Sequence, residues 1–274
     1  MTQVKTLLAD ARLPRLEVRM LLEHVLQKPR AWLLAHDTDP LPAAAQQAYE
    51  DLARRRLAGE PMAYLVGRRE FMGHLFRVTP DVLIPRPDTE VLVETALQCL
   101  EGQSAPAVLD LGTGSGAIAI SIALARRDAR VMASDLSPAA LAVAAGNAWE
   151  LAASVRFVEG SWFDAVPAGE GFELIVSNPP YVASDDPHLR QGDVRFEPRG
   201  ALTDGADGLG DLARIAQGAG ARLKPGGALW MEHGWDQAEA VRGLLQAAGF
   251  EDVASRRDLA GIERISGGRW PGRR

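Results

Sequence analysis

Cysteine is nearly missing from this sequence: Cys99 is the only one in 274 residues. No intrachain disulfide is possible, which fits a reducing cytoplasm. Cys99 falls in an apolar helical pattern and reads as a small core residue. Long apolar runs are missing too. None approaches the roughly 18 residues that a membrane helix needs. Residues 1–13 hold neither a continuous apolar stretch nor a small-residue cleavage site, so no signal peptide is expected. A strongly basic region is also lacking. Net charge is −6. Residues 1–84 carry 12 Lys+Arg against 10 Asp+Glu, and residues 85–274 carry 18 against 26. Neither part has the basic surface of a protein that lives on duplex nucleic acid.

Helical periodicity fills the first part of the chain. Val18, Leu21, Leu22, Val25 and Leu26 recur at the spacing of one helix face. Pro14 stands where a first-turn proline would. Helices are expected at 4–13, 17–27, 30–35 and 42–58, together a small bundle. The run Arg54-Arg55-Arg56 reads as a solvated helix face. A loosely alternating stretch follows, with Met72-Gly73-His74 as its hairpin turn. Residues 1–70 are thus expected to form a helical bundle and 71–84 a β-hairpin linker, with 85–274 a second domain.

In that second domain strands and helices alternate. Strands are expected at 107–111, 130–134, 155–159, 173–177, 228–232, 252–256 and 261–266. Helices are expected from Glu90 and at 117–125, 138–151, 209–223 and 236–248. The alternation predicts an α/β, mostly parallel, doubly wound sheet. The short loop 257–260 makes the last two strands pair antiparallel at one edge. The Arg-rich end, 269–274, reads as disordered.

Two stretches carry chemistry. Asp110-Leu111-Gly112-Thr113-Gly114-Ser115-Gly116 lies between the first strand and first helix of the sheet, where glycines let a backbone approach a ligand. Asp135 closes the next strand, where an acid accepts bonds from ribose hydroxyls. Gly112, Gly114 and Ala117 also satisfy a dinucleotide pattern, so the loop alone does not separate NAD from S-adenosylmethionine. Asp110 favours the latter: a carboxylate there suits a cationic methionine end and would repel a pyrophosphate. Trp162 lies where an adenine ring could stack.

The other stretch is Asn178-Pro179-Pro180-Tyr181, directly after the apolar strand Leu174-Ile175-Val176-Ser177. Neither proline has an N–H to donate, so the sheet ends there in a stiff corner. Ligands bind at the carboxyl ends of strands in such sheets. Methylating an amide or exocyclic amine requires holding a planar nitrogen that carries two hydrogens. The Asn178 side chain and the Pro179 main chain offer two carbonyl acceptors, and Tyr181 offers a π face. Catalysis there is mostly positioning.

Asn-Pro-Pro-Tyr behind such a glycine loop resembles the amino-group methyltransferases. Glu60-Pro61-x-Ala63-Tyr64, Phe71-x-Gly73, residues 82–90, Glu197-Pro198 with Gly205-x-x-Gly208-Leu209, and Asp258-Leu259-Ala260-Gly261 narrow the match. Together they resemble the HemK/PrmC family of peptide chain release factor glutamine methyltransferases, over essentially the whole chain. Phe196, where a Tyr is expected, and Thr203-Asp204, in place of a glycine-rich step, are the departures. The resemblance implies a Rossmann-like class I S-adenosylmethionine-dependent methyltransferase sheet with an antiparallel last strand. It implies transfer of a methyl group to the side-chain nitrogen (N5) of the glutamine in the GGQ motif of class 1 release factors. Carried over, Gly112, Thr113, Gly114, Ser115 and Gly116 line the cofactor, Asp135 holds the ribose, Trp162 lies by the adenine, and Asn178, Pro179, Pro180 and Tyr181 receive the glutamine. Asn178 also borders the cofactor. The helical bundle would recognise the release factor. A cytoplasmic monomer that binds no metal, membrane or nucleic acid is expected. The alternatives are a methyltransferase acting on DNA or RNA bases, which shares the corner, and a non-catalytic nucleotide-binding module, for which Asn178 and Asp135 would be dispensable.

Overall fold

A computed structural model describes residues 2–272. The chain divides into two compact units. One comprises Met1–Arg68 with Gln191–Phe196, the other Arg69–Arg190 with Glu197–Arg274.

The first unit holds α1 (Val4–Leu8), α2 (Arg15–Leu26), α3 (Arg30–Ala35), α4 (Ala43–Leu57) and α5 (Met62–Val66). The first helix is shorter than the expected 4–13. The Asp10 carboxylate accepts the main-chain N–H of Arg12 at 3.0 Å and forms a local turn instead. α5, which has no counterpart among the expected elements, fits between Pro61 and Gly67. The proline precedes its first residue and the glycine ends it in the left-handed region at φ 72°. Val18, Leu21, Leu22, Leu33, Tyr49 and Ala53 are buried together. Burial of each such Leu contributes about 1.5–3 kcal/mol, so packing rather than intrinsic propensity holds these short helices.

The second unit opens with the hairpin β1 (Arg68–Phe71) and β2 (His74–Arg77), turned at Met72 and Gly73, both at positive φ. The expected linker segment is part of this unit's core. Phe71 and Phe76 meet edge to face at 6.1 Å and pack with the helix that follows. Then come α6 (Glu90–Cys99), β3 (Ala107–Leu111), α7 (Ala117–Ala125), β4 (Arg130–Asp135), α8 (Pro138–Glu150), β5 (Val155–Glu159) and β6 (Phe172–Ser177). After a long loop follow α9 (Gly210–Ala219), β7 (Leu223–Glu232), α10 (Ala238–Ala247), β8 (Glu251–Arg257) and β9 (Glu263–Arg269).

Seven strands form one sheet in the order β5-β4-β3-β6-β7-β9-β8. The first four pairings are parallel, and β9 runs antiparallel to both β7 and β8. Val108, Ala133, Val176 and Trp230 face one side, packed on α6 and α7. Leu109, Met132, Ile175 and Leu229 face the other, packed on α9 and α10. Burial on both faces explains why these strands read as unbroken apolar runs.

Two expectations change. β7 begins at Leu223 and runs through Lys224-Pro225-Gly226-Gly227, where a helix end and a turn were expected. The segment is irregular there: the register with β6 shifts between Phe172 and Leu174, and Gly226 N–H donates to Trp270. The chain's end is also ordered as far as it is described. Arg269 belongs to β9, and Trp270 packs against Phe250 with ring centroids 5.6 Å apart. Residues 273–274 of the expected disordered end lie outside the described residues.

Candidate active site

The carboxyl ends of β3, β4, β6 and β7 come level: Leu111 lies opposite both Ser134 and Ser177, and Ser177 opposite Met231. A cavity of about 530 Å³ opens above them. Its walls include Gly112, Thr113, Gly114, Ser115, Asp135, Trp162, Asn178 and Pro180. The glycine loop and the Asn-Pro-Pro-Tyr corner, 62 residues apart from Gly116 to Asn178, thus share one site.

The loop is held in place by the neighbouring strand. Gly112 and Thr113 both donate their N–H to the Ser134 carbonyl at 2.9 Å. Gly112 sits at φ 71°, and a Cβ there would stand 3.3 Å from the Trp162 ring. Only glycine therefore lets the loop and the indole face the same space. Asp135 ends β4 half-buried. Its Oδ2 accepts Gly114 N–H at 2.8 Å and its Oδ1 accepts Ser137 N–H at 2.9 Å. Each oxygen keeps a lone pair for a further donor. Asn147 joins the loop to the hairpin: it exchanges both bonds with the Arg77 main chain and donates to Ser115 at 2.8 Å.

Asp110 sits elsewhere than the cavity wall. It is fully buried beneath the loop, and its Oδ2 accepts the Thr113 hydroxyl at 2.7 Å while Oδ1 has no partner. Burial pushes its pKa up to about 7, against the pull of that hydroxyl. Gly116, at φ 82°, precedes α7, where a Cβ would crowd Ile120 and Ala144. Its place is explained by helix packing.

At the corner, Asn178 Nδ2 donates to the Thr89 hydroxyl at 3.3 Å. Among the described residues its Oδ1 has no partner. Pro179 is buried, and Pro180 faces the cavity. Tyr181 is off the cavity wall: its hydroxyl donates to Glu232 Oε1 at 3.0 Å, and its main-chain carbonyl accepts from Gln237 at 3.0 Å. Burial first, then the Glu232 charge, pushes the phenol well above its ordinary range. Gly208 packs directly on that carbonyl; a Cβ there would clash. Ser177 ties the corner to β3 through the Leu111 carbonyl at 2.8 Å.

Several wall residues, among them Arg86, Thr89, Pro198 and Asp204, come from segments to which the sequence assigned no site role. Glu197 is buried and accepts Ile84 N–H at 3.0 Å and the Arg86 guanidinium. This joins two motifs more than a hundred residues apart, and places Arg86 and Pro198 on the cavity wall. Thr89, Asp204, Asp211 and Arg214 also line it. Pairings of this kind have no local periodicity to announce them. Among the described residues no His, Cys, Asp and Glu cluster suits a metal ion.

The PrmC N-terminal domain family matches residues 1–67, and the methyltransferase small domain family matches residues 88–193. A release factor glutamine methyltransferase of Bordetella pertussis is 69% identical over 268 residues, 98% of this chain and 99% of that one. Its Burkholderia pseudomallei namesake is 57% identical, over 97% and 95%. Among solved structures, a Pyrococcus furiosus methyltransferase matches 82% of this chain and 100% of its own with a TM-score of 0.56 at 18% identity. That likeness speaks to the fold.

Proposed function

This chain belongs to the release factor glutamine methyltransferase family, and we propose that it methylates the side-chain amide nitrogen of a glutamine presented by a release factor. The reading is specific: N5 of the glutamine in the GGQ motif of class 1 release factors. The methyl donor is S-adenosylmethionine. The observation that carries the assignment of the corner is Asn178, whose nitrogen is held by Thr89 and whose carbonyl oxygen is left for the substrate at the cavity wall.

The residues present fit that donor. A glycine loop close to an indole, with a carboxylate at the end of the next strand, suits a nucleoside in a cavity of this size. Asp135 would hold the ribose hydroxyls, Trp162 would flank the adenine, and Gly112–Ser115 would line the path between. When bound, the donor supplies an electrophilic methyl group whose departure leaves a neutral thioether.

An amide nitrogen is a poor nucleophile because its lone pair is shared with the carbonyl. The chain's task is to hold it in line. Asn178 Oδ1 accepts one N–H of the substrate amide, and the Pro179 carbonyl, released from sheet pairing by the corner, accepts the other. Holding the amide in this way aligns the lone pair and keeps water out, an effect worth several kcal/mol. As the N–C bond forms the nitrogen becomes strongly acidic and gives up one hydrogen as a proton to water at the mouth of the cavity, so no strong base is required.

The helical unit recognises the release factor, the enzyme acts as a monomer, and the location is cytoplasmic, where release factors work. No helix among the described residues is long and apolar enough to cross a membrane.

The test uses labelled S-adenosylmethionine with a release factor, with its Gln→Ala variant, and with duplex DNA. Label is expected on the first alone. Label on DNA without label on the release factor would overturn the reading. Asn178→Ala is expected to lower turnover by about a hundredfold or more, with cofactor affinity changed far less. An active Asn178→Ala enzyme would refute the role given to the corner.

A further inference from the structure

Glu232 is a polar side chain that the mechanism above does not use. It ends β7, one residue past Met231, which lies opposite Ser177, so it comes level with Asn178. The residue is 1% exposed. Its Oε1 accepts the Tyr181 hydroxyl, and its Oε2 has no partner in hydrogen-bond geometry. A buried carboxylate oxygen without a partner is costly, and such groups ask for an explanation.

Thr89 stands between Glu232 and the corner. It lies at the entry to α6, 4% exposed, and its oxygen accepts from Asn178 Nδ2. A hydroxyl that accepts there still has its own proton to give. That hydroxyl makes no hydrogen bond to Glu232 in this structure, where Oε2 is left free, but it lies near enough to pull the carboxyl's pKa down. Two hydrogen-bonded pairs, Asn178 with Thr89 and Tyr181 with Glu232, thus meet at the corner, and the free Oε2 is the acceptor a Thr89 hydroxyl turned towards it would find.

We propose that Glu232 is a positioning residue for methyl transfer, which acts through Thr89 and Tyr181 to make Asn178 present its carbonyl oxygen, rather than its amino group, to the substrate amide. This rests on the reading of Asn178 as the amide acceptor.

Hydrogen-bond polarity decides which end of Asn178 faces the substrate. The two ends of a carboxamide are nearly the same size, so shape alone does not choose which faces the substrate. An ionised carboxylate can only accept. With its free Oε2 it accepts a hydrogen bond from the Thr89 hydroxyl, Thr89 then has only lone pairs for Asn178, and the Asn178 amino group must turn towards Thr89. The Oδ1 atom is left for the substrate. A donor in place of Glu232 reverses each step and sets an amino group against an amino group. Tyr181 is anchored by the same carboxylate, so side chains at both ends of the Asn-Pro-Pro-Tyr corner depend on one group.

The relay works only with Glu232 ionised. Burial pushes its pKa up to about 7, with Thr89, Tyr181 and Arg264 of β9 opposing and Asp88 adding to the rise. Arg86 also acts on the Tyr181 end. Turnover should therefore climb as pH rises through neutrality.

The test compares Glu232→Gln with the wild type on the release factor. Gln keeps the size of Glu and removes the unpaired charge, so the fold is expected to hold, with an unchanged or higher melting temperature. Turnover should fall about tenfold to a hundredfold, with S-adenosylmethionine affinity within about twofold and the rise through neutral pH abolished. Thr89→Val should lower turnover similarly, and Thr89→Ser, which keeps the hydroxyl, should restore it. A Glu232→Gln enzyme with wild-type turnover, or a Thr89→Ser enzyme no better than Thr89→Val, would overturn the proposal. Asn178→Ala separates the two readings. If it is inactive while Glu232→Gln is fully active, only the positioning role falls; if it is active, the corner's role falls and takes this proposal with it.

Discussion

In the helical unit Asp10 is enclosed by partners: Arg12 bonds both its oxygens through main chain and side chain, and the buried Tyr49 donates to it at 2.8 Å. In the sheet unit Asp110 and Glu232 are more deeply buried, yet each leaves one oxygen without a partner. The same contrast runs through the charges. Arg56 grips both oxygens of Glu17 at 2.9 Å and reaches Asp193 as well. Among the described residues of the bundle, Arg19 Nε is a buried side-chain atom without a hydrogen bond, but no buried carboxylate oxygen lacks one. The sheet unit leaves two buried carboxylates incompletely paired near the carboxyl ends of β3 and β7, and burial raises their proton affinity. Buried carboxylate oxygens without a partner are thus found in the sheet unit and, among the described residues, not in the bundle.

The hardest test of that division is a change that damages the bundle alone. Leu21 of α2 is fully buried among bundle residues. Leu21→Ala should destabilise the protein by about 2–5 kcal/mol through lost burial and the cavity left behind. S-adenosylmethionine affinity, measured by calorimetry below the melting temperature, should stay as in the wild type. A large loss of cofactor affinity would break the comparison, since the bundle would then be supporting the site.

A smaller effect is expected from Asp135, on the other side of the division. Asp135→Ala removes the acceptor proposed for the ribose and also frees two loop N–H groups, those of Gly114 and Ser137. Cofactor affinity should fall about tenfold or somewhat more, at roughly 1.4 kcal/mol per tenfold. Turnover at saturating cofactor should change less. The opposite split, turnover lost with affinity kept, would place Asp135 in the chemistry rather than the binding.

How much of this was legible in the sequence follows from the range of each interaction. The bundle's core face was visible because Val18, Leu21 and Leu22 recur at helical spacing. The glycine loop and the corner were visible because each is a short run of demanding residue types. What escaped depends on pairings across the chain. Lys224-Pro225-Gly226-Gly227 reads as a breaker, yet β7 continues through it because Trp270, 44 residues on from Gly226, takes up the N–H that the irregular backbone offers. Tyr181 read as a surface for a planar group, and its residue type gives no sign that a glutamate 51 residues later holds its hydroxyl. Glu232 itself looked like the last residue of an apolar strand. Its environment exists only once β6 and β7 lie side by side.

The smallest of the expected effects concerns pH, and it sets the two units against each other most directly. Arg12 holds the Asp10 carboxyl well below the ordinary aspartate range, chiefly by its side-chain bonds. A group with a lowered pKa in the folded state adds stability that is present above its unfolded pKa, near 4, and lost as pH falls below that. Asp110 and Glu232, both raised to about 7 by burial, act with the opposite sign. Their contribution is fully present below about 4 and is lost as pH rises through 7. The bundle should therefore weaken on acidification and the sheet unit on neutralisation. Hydrogen exchange read separately on α2 and α4 and on β3 and β6 resolves the two. Asp10→Asn should cost the bundle about 1 kcal/mol at neutral pH, the net scale of one ordinary hydrogen bond, and should flatten its acid limb. It should leave β3 and β6 unmoved at every pH. If both units followed one common curve in the wild type, or if Asp10→Asn shifted the strands as much as the helices, the units would not be handling charge separately and the contrast between them would fail.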